Sequence, residues 1–127
     1  MAAVAFIALG GAIGALARYW MSSAVTAVAG PSFPYGTLTV NIVGSLAMGV
    51  CFVLFVERGG VPEEVRLGVM TGVLGAFTTY STFSLETVIA LQAGNMLVAA
   101  ANVVLSALTC VLVCWAGIAI TRGVVAV

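Results

Sequence analysis

Gly75-Ala76-Phe77-Thr78-Thr79-Tyr80-Ser81-Thr82-Phe83-Ser84 lies between two long apolar stretches, and its reading decides the fold. A glycine followed by β-branched hydroxyl residues makes a weak helix. At bilayer depth, the backbone groups that a broken helix frees are tolerated only where protein or a water-filled cavity satisfies them. The run therefore predicts a helix interrupted in mid-membrane, with an ion or substrate site at the interruption.

Outward from that run, composition sets the class. Hydrophobic residues make up 63% of the 127 and charged residues 6%, with a mean hydropathy of +1.27. That balance excludes a water-facing surface and indicates an all-α integral membrane protein. The charges fall at Arg18, Glu57, Arg58, Glu63, Glu64, Arg66, Glu86 and Arg122, and the chain has no Lys, Asp or His. Because a crossing needs about 20 apolar residues, the spans between charges and turn residues divide into four transmembrane helices. The first runs from about Ala3 to Ala27, and the second, after the helix-breaking Gly30-Pro31-Ser32-Phe33-Pro34, from about Gly36 to Phe55. The third runs from about Glu63 to Leu91, opened by Pro62 and two dipole-favoured glutamates, and carries the break. The fourth follows Gln92-Ala93-Gly94-Asn95 and ends near Thr121. Residues 1–127 thus read as a single four-helix transmembrane domain.

Ala27-Val28-Ala29 has the small-x-small form of a signal cleavage site. No Lys or Arg precedes the apolar stretch, however, and the stretch is too long for an h-region, so the first helix is expected to stay. Cys51, Cys110 and Cys114 are an odd count, and the last two share a helical face. A metal site is not expected from these thiols alone. With four crossings, Arg58, Arg66 and Arg122 share one side with the termini, while the two opposite loops hold no basic residue. Arg18 partly offsets this. The bias favours cytoplasmic termini, and a bias so weak permits insertion in both directions.

Helices in lipid associate through small residues, and Gly10/Gly14, Ser45/Gly49 and Gly68/Gly72 each form such a pair. Four short helices enclose little space, so a transport path is expected between subunits of a homo-oligomer. Asn41, in mid-crossing, offers two N–H donors to an anion, or else an interhelical hydrogen bond with no ligand. Asn102, Ser106, Cys110 and Cys114 recur every four residues and form one stripe, read either as a polar path or as small-residue contact. Tyr80 and Phe83, three apart, present positive ring edges to an anion or simply pack. Glu86 pairs with Arg18, caps the polar segment or carries protons; the residues alone do not rank these roles.

Three ordered motifs now carry a resemblance: Gly10-Gly11-x-x-Gly14-x-x-x-Arg18-Tyr19, Gly36-Thr37-Leu38-x-Val40-Asn41-x-x-Gly44, and Gly72-x-x-Gly75-x-x-Thr78-Thr79-x-Ser81-Thr82-Phe83-Ser84-x-Glu86. Over essentially its whole length the chain resembles the small Fluc-type fluoride channels, also called CrcB proteins. The resemblance implies an antiparallel, dual-topology homodimer in the inner (plasma) membrane, with two fluoride pores along its interface and a structural sodium ion at its centre. It implies that Asn41 donates to fluoride, that Phe83 lines the pore, and that Ser106 belongs to the polar track of the fourth helix, with Asn102 and Cys110 beside it. Thr37 and Thr82 match the hydroxyl-rich pore surroundings, Arg18 the first-helix arginine, and Gly75 and Thr78 the main-chain carbonyl donors to sodium. Tyr80 stands where the family has its first pore phenylalanine, adding a phenolic hydroxyl.

The implied function is passive export of cytoplasmic fluoride. The sequence has no nucleotide-binding glycine loop, and neither an enzyme activity nor a nucleic-acid partner is expected. The rival reading is a proton-coupled exporter resembling the small multidrug transporters, which rely on a first-helix glutamate that this chain lacks. A third reading is an accessory membrane subunit with no ion flux of its own.

Overall fold

The computed structural model describes residues 1–125. Among them the regular structure is helical throughout: α1 (Ala2–Ala29), α2 (Tyr35–Glu57), α3 (residues 63–77), α4 (Tyr80–Gln92) and α5 (Met96–Val125). At 1.5 Å rise per residue, α1, α2 and α5 are about 42, 35 and 45 Å long, and each is long and apolar enough to cross a membrane. The third expected crossing is divided between α3 and α4, roughly 23 and 20 Å long. Neither half alone covers a hydrocarbon core of about 30 Å. The chain is therefore a multi-pass helical membrane protein.

Local chemistry sets the helix ends. Gly30, at φ 81°, adopts the left-handed conformation that stops α1, and its N–H reaches the Thr26 carbonyl at 2.9 Å. Pro34 and Pro62 immediately precede α2 and α3. Two stretches wind more widely, as π-helix: Val53–Glu57 at the end of α2 and Gly68–Leu74 within α3. The sequence reading did not anticipate them.

Backbones meet where side chains are absent. On α1, a Cβ at Gly10 or Gly14 would overlap the carbonyl oxygens of Gly68 and Val73 on α3; one at Gly72 would lie 2.8 Å from the Ile7 carbonyl oxygen. The glycine pairs of the first and third crossings thus face each other and form one seam. A second seam joins α2 to α5. Gly49 abuts the Cys114 carbonyl, and a Cβ on Gly117 would sit 2.6 Å from the Leu46 carbonyl oxygen. Gly49 was marked by the sequence; Gly117 was not. At the far end of the same two helices, Arg122 grips Glu57 with both Nε and Nη2, the Nε bond measuring 2.9 Å.

The interior is small and partly polar, the exterior oily. Buried positions include Thr37, Thr79, Asn102, Ser106 and Thr121, whereas Leu9, Ile13, Leu97, Leu108, Val111 and Trp115 are exposed. Apolar groups lose nothing by facing lipid tails, so the hydrophobic effect does not drive them inward as it would in water. Close backbone contact and hydrogen bonding hold the bundle instead.

Candidate functional site

The interruption is narrower than the run that predicts it. Only Thr78 (φ −79°, ψ 156°) and Thr79 (φ −149°, ψ 113°) leave the helical conformation, and Tyr80 already begins α4. Thr78 turns its N–H and its hydroxyl back to the Leu74 carbonyl, at 3.1 and 3.0 Å. Thr79 caps α4: its hydroxyl oxygen accepts the Thr82 N–H at 3.2 Å and lies 2.9 Å from the Thr82 hydroxyl.

Asn41 of α2 holds the break open. Its Oδ1 accepts the Thr79 N–H at 2.8 Å, and its Nδ2 donates to the Thr79 carbonyl at 3.1 Å. One side-chain amide therefore engages both backbone polar groups of that residue. The Thr79 N–H is thereby withheld from the Gly75 carbonyl. Gly75, Ala76 and Phe77 form the last turn of α3, whose carbonyls have no helical partner ahead of them. The break so joins the negative end of one half-helix to the positive end of another. Primary amides carry two N–H donors; Asn41 spends one on Thr79 and retains the other.

Beside this junction a cleft of about 450 Å³ runs between α2, α4 and α5, with Asn41, Tyr80, Phe83 and Ser106 in its wall. Tyr80 and Phe83 stack obliquely, with centroids 5.2 Å apart and planes inclined at 44°. Tyr80 is 80% exposed, and its hydroxyl makes no hydrogen bond among the described residues. Ser106 donates to Asn102 Oδ1 at 3.3 Å, and Asn102 in turn donates to the Thr87 hydroxyl at 2.9 Å. The stripe on α5 is thus a relay of polar contacts at its first two positions. Cys110 and Cys114 continue it along the same cleft.

Not every predicted residue meets here. Thr82 is exposed on α4, and Gly75 lies in the last turn of α3, outside the cleft wall. Thr37 is buried and donates to Glu86 Oε1 at 2.7 Å, beside a second cavity of about 340 Å³ near the Pro31–Pro34 loop. Of the roles open to Glu86, pairing with Arg18 is not the one adopted: Thr37 takes its Oε1, and Oε2 is buried without a partner among the described residues. Arg18 joins no ion pair among the described residues. Sequence reasoning missed Thr79 as the clamped residue. Its signal was the Thr79-x-x-Thr82 spacing at a helix start, legible only once the break was placed between 77 and 80.

Fold and site define a small polytopic membrane protein in which a broken helix, rather than a charged cluster, supplies the polar groups at mid-span. The chain belongs to the CrcB family: the family described as CrcB-like protein, Camphor Resistance (CrcB), matches residues 5–118. It is similar to the fluoride-specific ion channel FluC of Magnetococcus marinus, 51% identical over 119 residues that cover 94% of this chain and 97% of that protein. The protein of the same name from Geobacter metallireducens is 44% identical over 122 residues, 96% of this chain and 98% of its own. That of Methylococcus capsulatus is 47% identical over 116 residues, 91% of this chain but 51% of the relative, so this chain spans about half of that longer protein. These relatives are named as ion channels, a family that is not enzymatic, and the chain is not an enzyme.

Proposed function

We propose that the chain is a fluoride-selective passive channel that lets cytoplasmic fluoride leave through the inner (plasma) membrane. The observation that carries this reading is the Asn41–Thr79 clamp: a fixed amide with one uncommitted N–H, at the edge of an apolar cleft that also presents two aromatic rings and Ser106. Fluoride is small and strongly hydrated. To pass a narrow route it must exchange water for donors held in place, and a rigid amide, hydroxyls and positive ring edges suit that exchange. Larger halides gain less from the same fixed spacing. The names of the relatives, matched along nearly the whole chain, support the same ion.

Two copies inserted antiparallel complete the path, since one chain leaves the cleft open along its side. Each dimer then carries two such routes, with Asn41, Tyr80, Phe83 and Ser106 as principal lining and Thr37 and Thr82 as flanking hydroxyls. The carbonyls at the end of α3 are hard oxygen donors at a negative helix terminus, with no carboxylate among them, and they fit a monovalent cation such as sodium. Gly75 and Thr78 would hold it across the subunit interface. A sodium ion there would supply positive charge that offsets the cost of bringing anions into a low-dielectric setting.

Purified protein in liposomes loaded with fluoride provides the test, read with a fluoride-selective electrode. Efflux driven by the fluoride gradient alone, and slow or absent for chloride, is the expected result. Vesicles that keep their fluoride would overturn the reading. Proton-coupled export is the second reading, favoured by the unpartnered Glu86 Oε2. Uptake of a cationic dye under an imposed pH gradient, with fluoride retained, would establish it instead.

A further inference from the structure

The cleft that holds Asn41 and Phe83 also gathers three of the chain's sulfur side chains, Met48 from α2 and Cys110 and Cys114 from α5. We propose that these three form a site for a soft monovalent metal ion, Ag+ or Cu+, and that an ion held there stops fluoride from passing. The binding half of this inference stands on the sulfur geometry alone; the blocking half rests on the channel reading above.

Cys110 and Cys114 are four residues apart on an uninterrupted helix, which sets their Cβ atoms about 5–6 Å apart on one face. Two opposed metal–sulfur bonds of about 2.3 Å each span roughly 4.6 Å. Rotation about the two Cα–Cβ bonds brings the sulfurs to that separation, so a linear ion between two thiolates fits without unwinding α5. The third donor comes from the tight seam. Gly49 lies against the Cys114 carbonyl and Gly117 against that of Leu46, so the backbones of α2 and α5 touch at this level. Met48, next to Gly49, lines the same cleft as the thiols. Neither thiol is in a disulfide, and neither takes part in a hydrogen bond among the described residues.

The chemistry selects the class of ion. Thiolate and thioether are soft ligands that prefer Cu(I)-like ions, while Mg²⁺ and Ca²⁺ require oxygen cages. Cys51, elsewhere on α2, is not part of the cleft wall. On binding, one Ag+ displaces both thiol protons, which leave to the bulk, so a neutral site becomes an anionic bis-thiolate complex. Its negative charge, in a wall of low dielectric, opposes a passing anion as well as narrowing its path.

The test begins with Cys51→Ala protein, which leaves two thiols to count. Ag+ titration, read by loss of thiols reactive to a disulfide reagent, should consume both thiols at one ion per chain. Met48→Leu should weaken binding by about tenfold, the loss of one ligand worth about 1.4 kcal/mol. The double variant Cys110→Ser, Cys114→Ser should bind no Ag+; its elution as a folded species by size exclusion guards against trivial loss. Fluoride efflux, run in nitrate to avoid silver chloride and normalised to each variant without metal, should fall with Ag+ only where both thiols are present. No stoichiometric binding overturns the proposal, as does inhibition that persists in the double serine variant. Binding without inhibition overturns the placement of the site on the route. If Ag+ binds as described but no variant passes fluoride even without metal, the channel reading fails and the metal site stands.

Discussion

The α1–α3 seam and the α3–α4 break lie on the same crossing, yet they solve opposite problems. At the seam, Gly10, Gly14, Gly68 and Gly72 bring two intact backbones together, and each helix satisfies its own hydrogen bonds. Beside the break, Gly44 makes room in a similar way, a Cβ there overlapping the Thr78 methyl group. But the backbone it admits is interrupted, so a side chain from another helix must supply what the helix no longer does. Asn41 does so for Thr79. Close approach alone yields packing. Close approach to an interrupted backbone yields polar groups at mid-span, which is the condition for binding an ion there.

Substitutions separate the two regions. The largest effect is expected for Gly14→Leu, whose side chain has only rigid backbone of Val73 and Phe77 to enter; it should destabilise the fold by about 3 kcal/mol or more. Denaturation in detergent would register this as loss of folded material, while the part that does fold conducts normally. Asn41→Ala reverses that pattern. Two bonds to Thr79 disappear, each worth about 1–3 kcal/mol when a buried partner is left unsatisfied, and a barrier raised by some 2.7 kcal/mol slows efflux about 100-fold. Protein that elutes as folded but conducts at the native rate would break the comparison.

Thr79→Val keeps the shape of the capping residue and removes its hydroxyl, so it tests the break without touching Asn41. A loss of about 1 kcal/mol in thermal or denaturant stability is expected, with efflux reduced far less than by Asn41→Ala. Tyr80→Phe should be smaller still. The ring against Phe83 is retained and the hydroxyl has no partner to lose, so efflux is expected to stay within about threefold, a change under 0.7 kcal/mol. A large gain would mean that the phenol obstructs the route. Glu57→Gln, at the exposed clasp with Arg122, should leave efflux unchanged; a measurable fall would tie the ends of α2 and α5 to conduction.

Much of this architecture is legible in the sequence. Charge-free spans of membrane length, the Pro31–Pro34 cluster, and Pro62 followed by two glutamates marked four crossings, because hydrocarbon penalises charge and proline blocks helix continuation. The glycine pairs at 10/14 and 68/72 announced close contact, and α1 and α3 make it. Less legible was the extent of the break. Tyr80 to Ser84 read as weak helix, yet capping by Thr79 restores them to α4. Thr37 looked like a companion of Asn41; one turn along α2, it turns instead to Glu86. Spacing along one helix reports a face but not the neighbour that face meets.

Composition and spacing alone settled that this is an all-helical, multi-pass membrane chain with a weak helical segment after Gly75 and a polar residue, Asn41, on its second apolar helix. These properties follow from the free energy of each residue in hydrocarbon or in a helix, which needs no knowledge of its neighbours. Tertiary structure decided that Asn41 would clamp Thr79, that Ser106 and the sulfur residues would share a cleft with Tyr80 and Phe83, and that Glu86 would meet Thr37 rather than Arg18. Hydrogen bonds and close packing are pairwise and directional, so their partners exist only once the helices are in register.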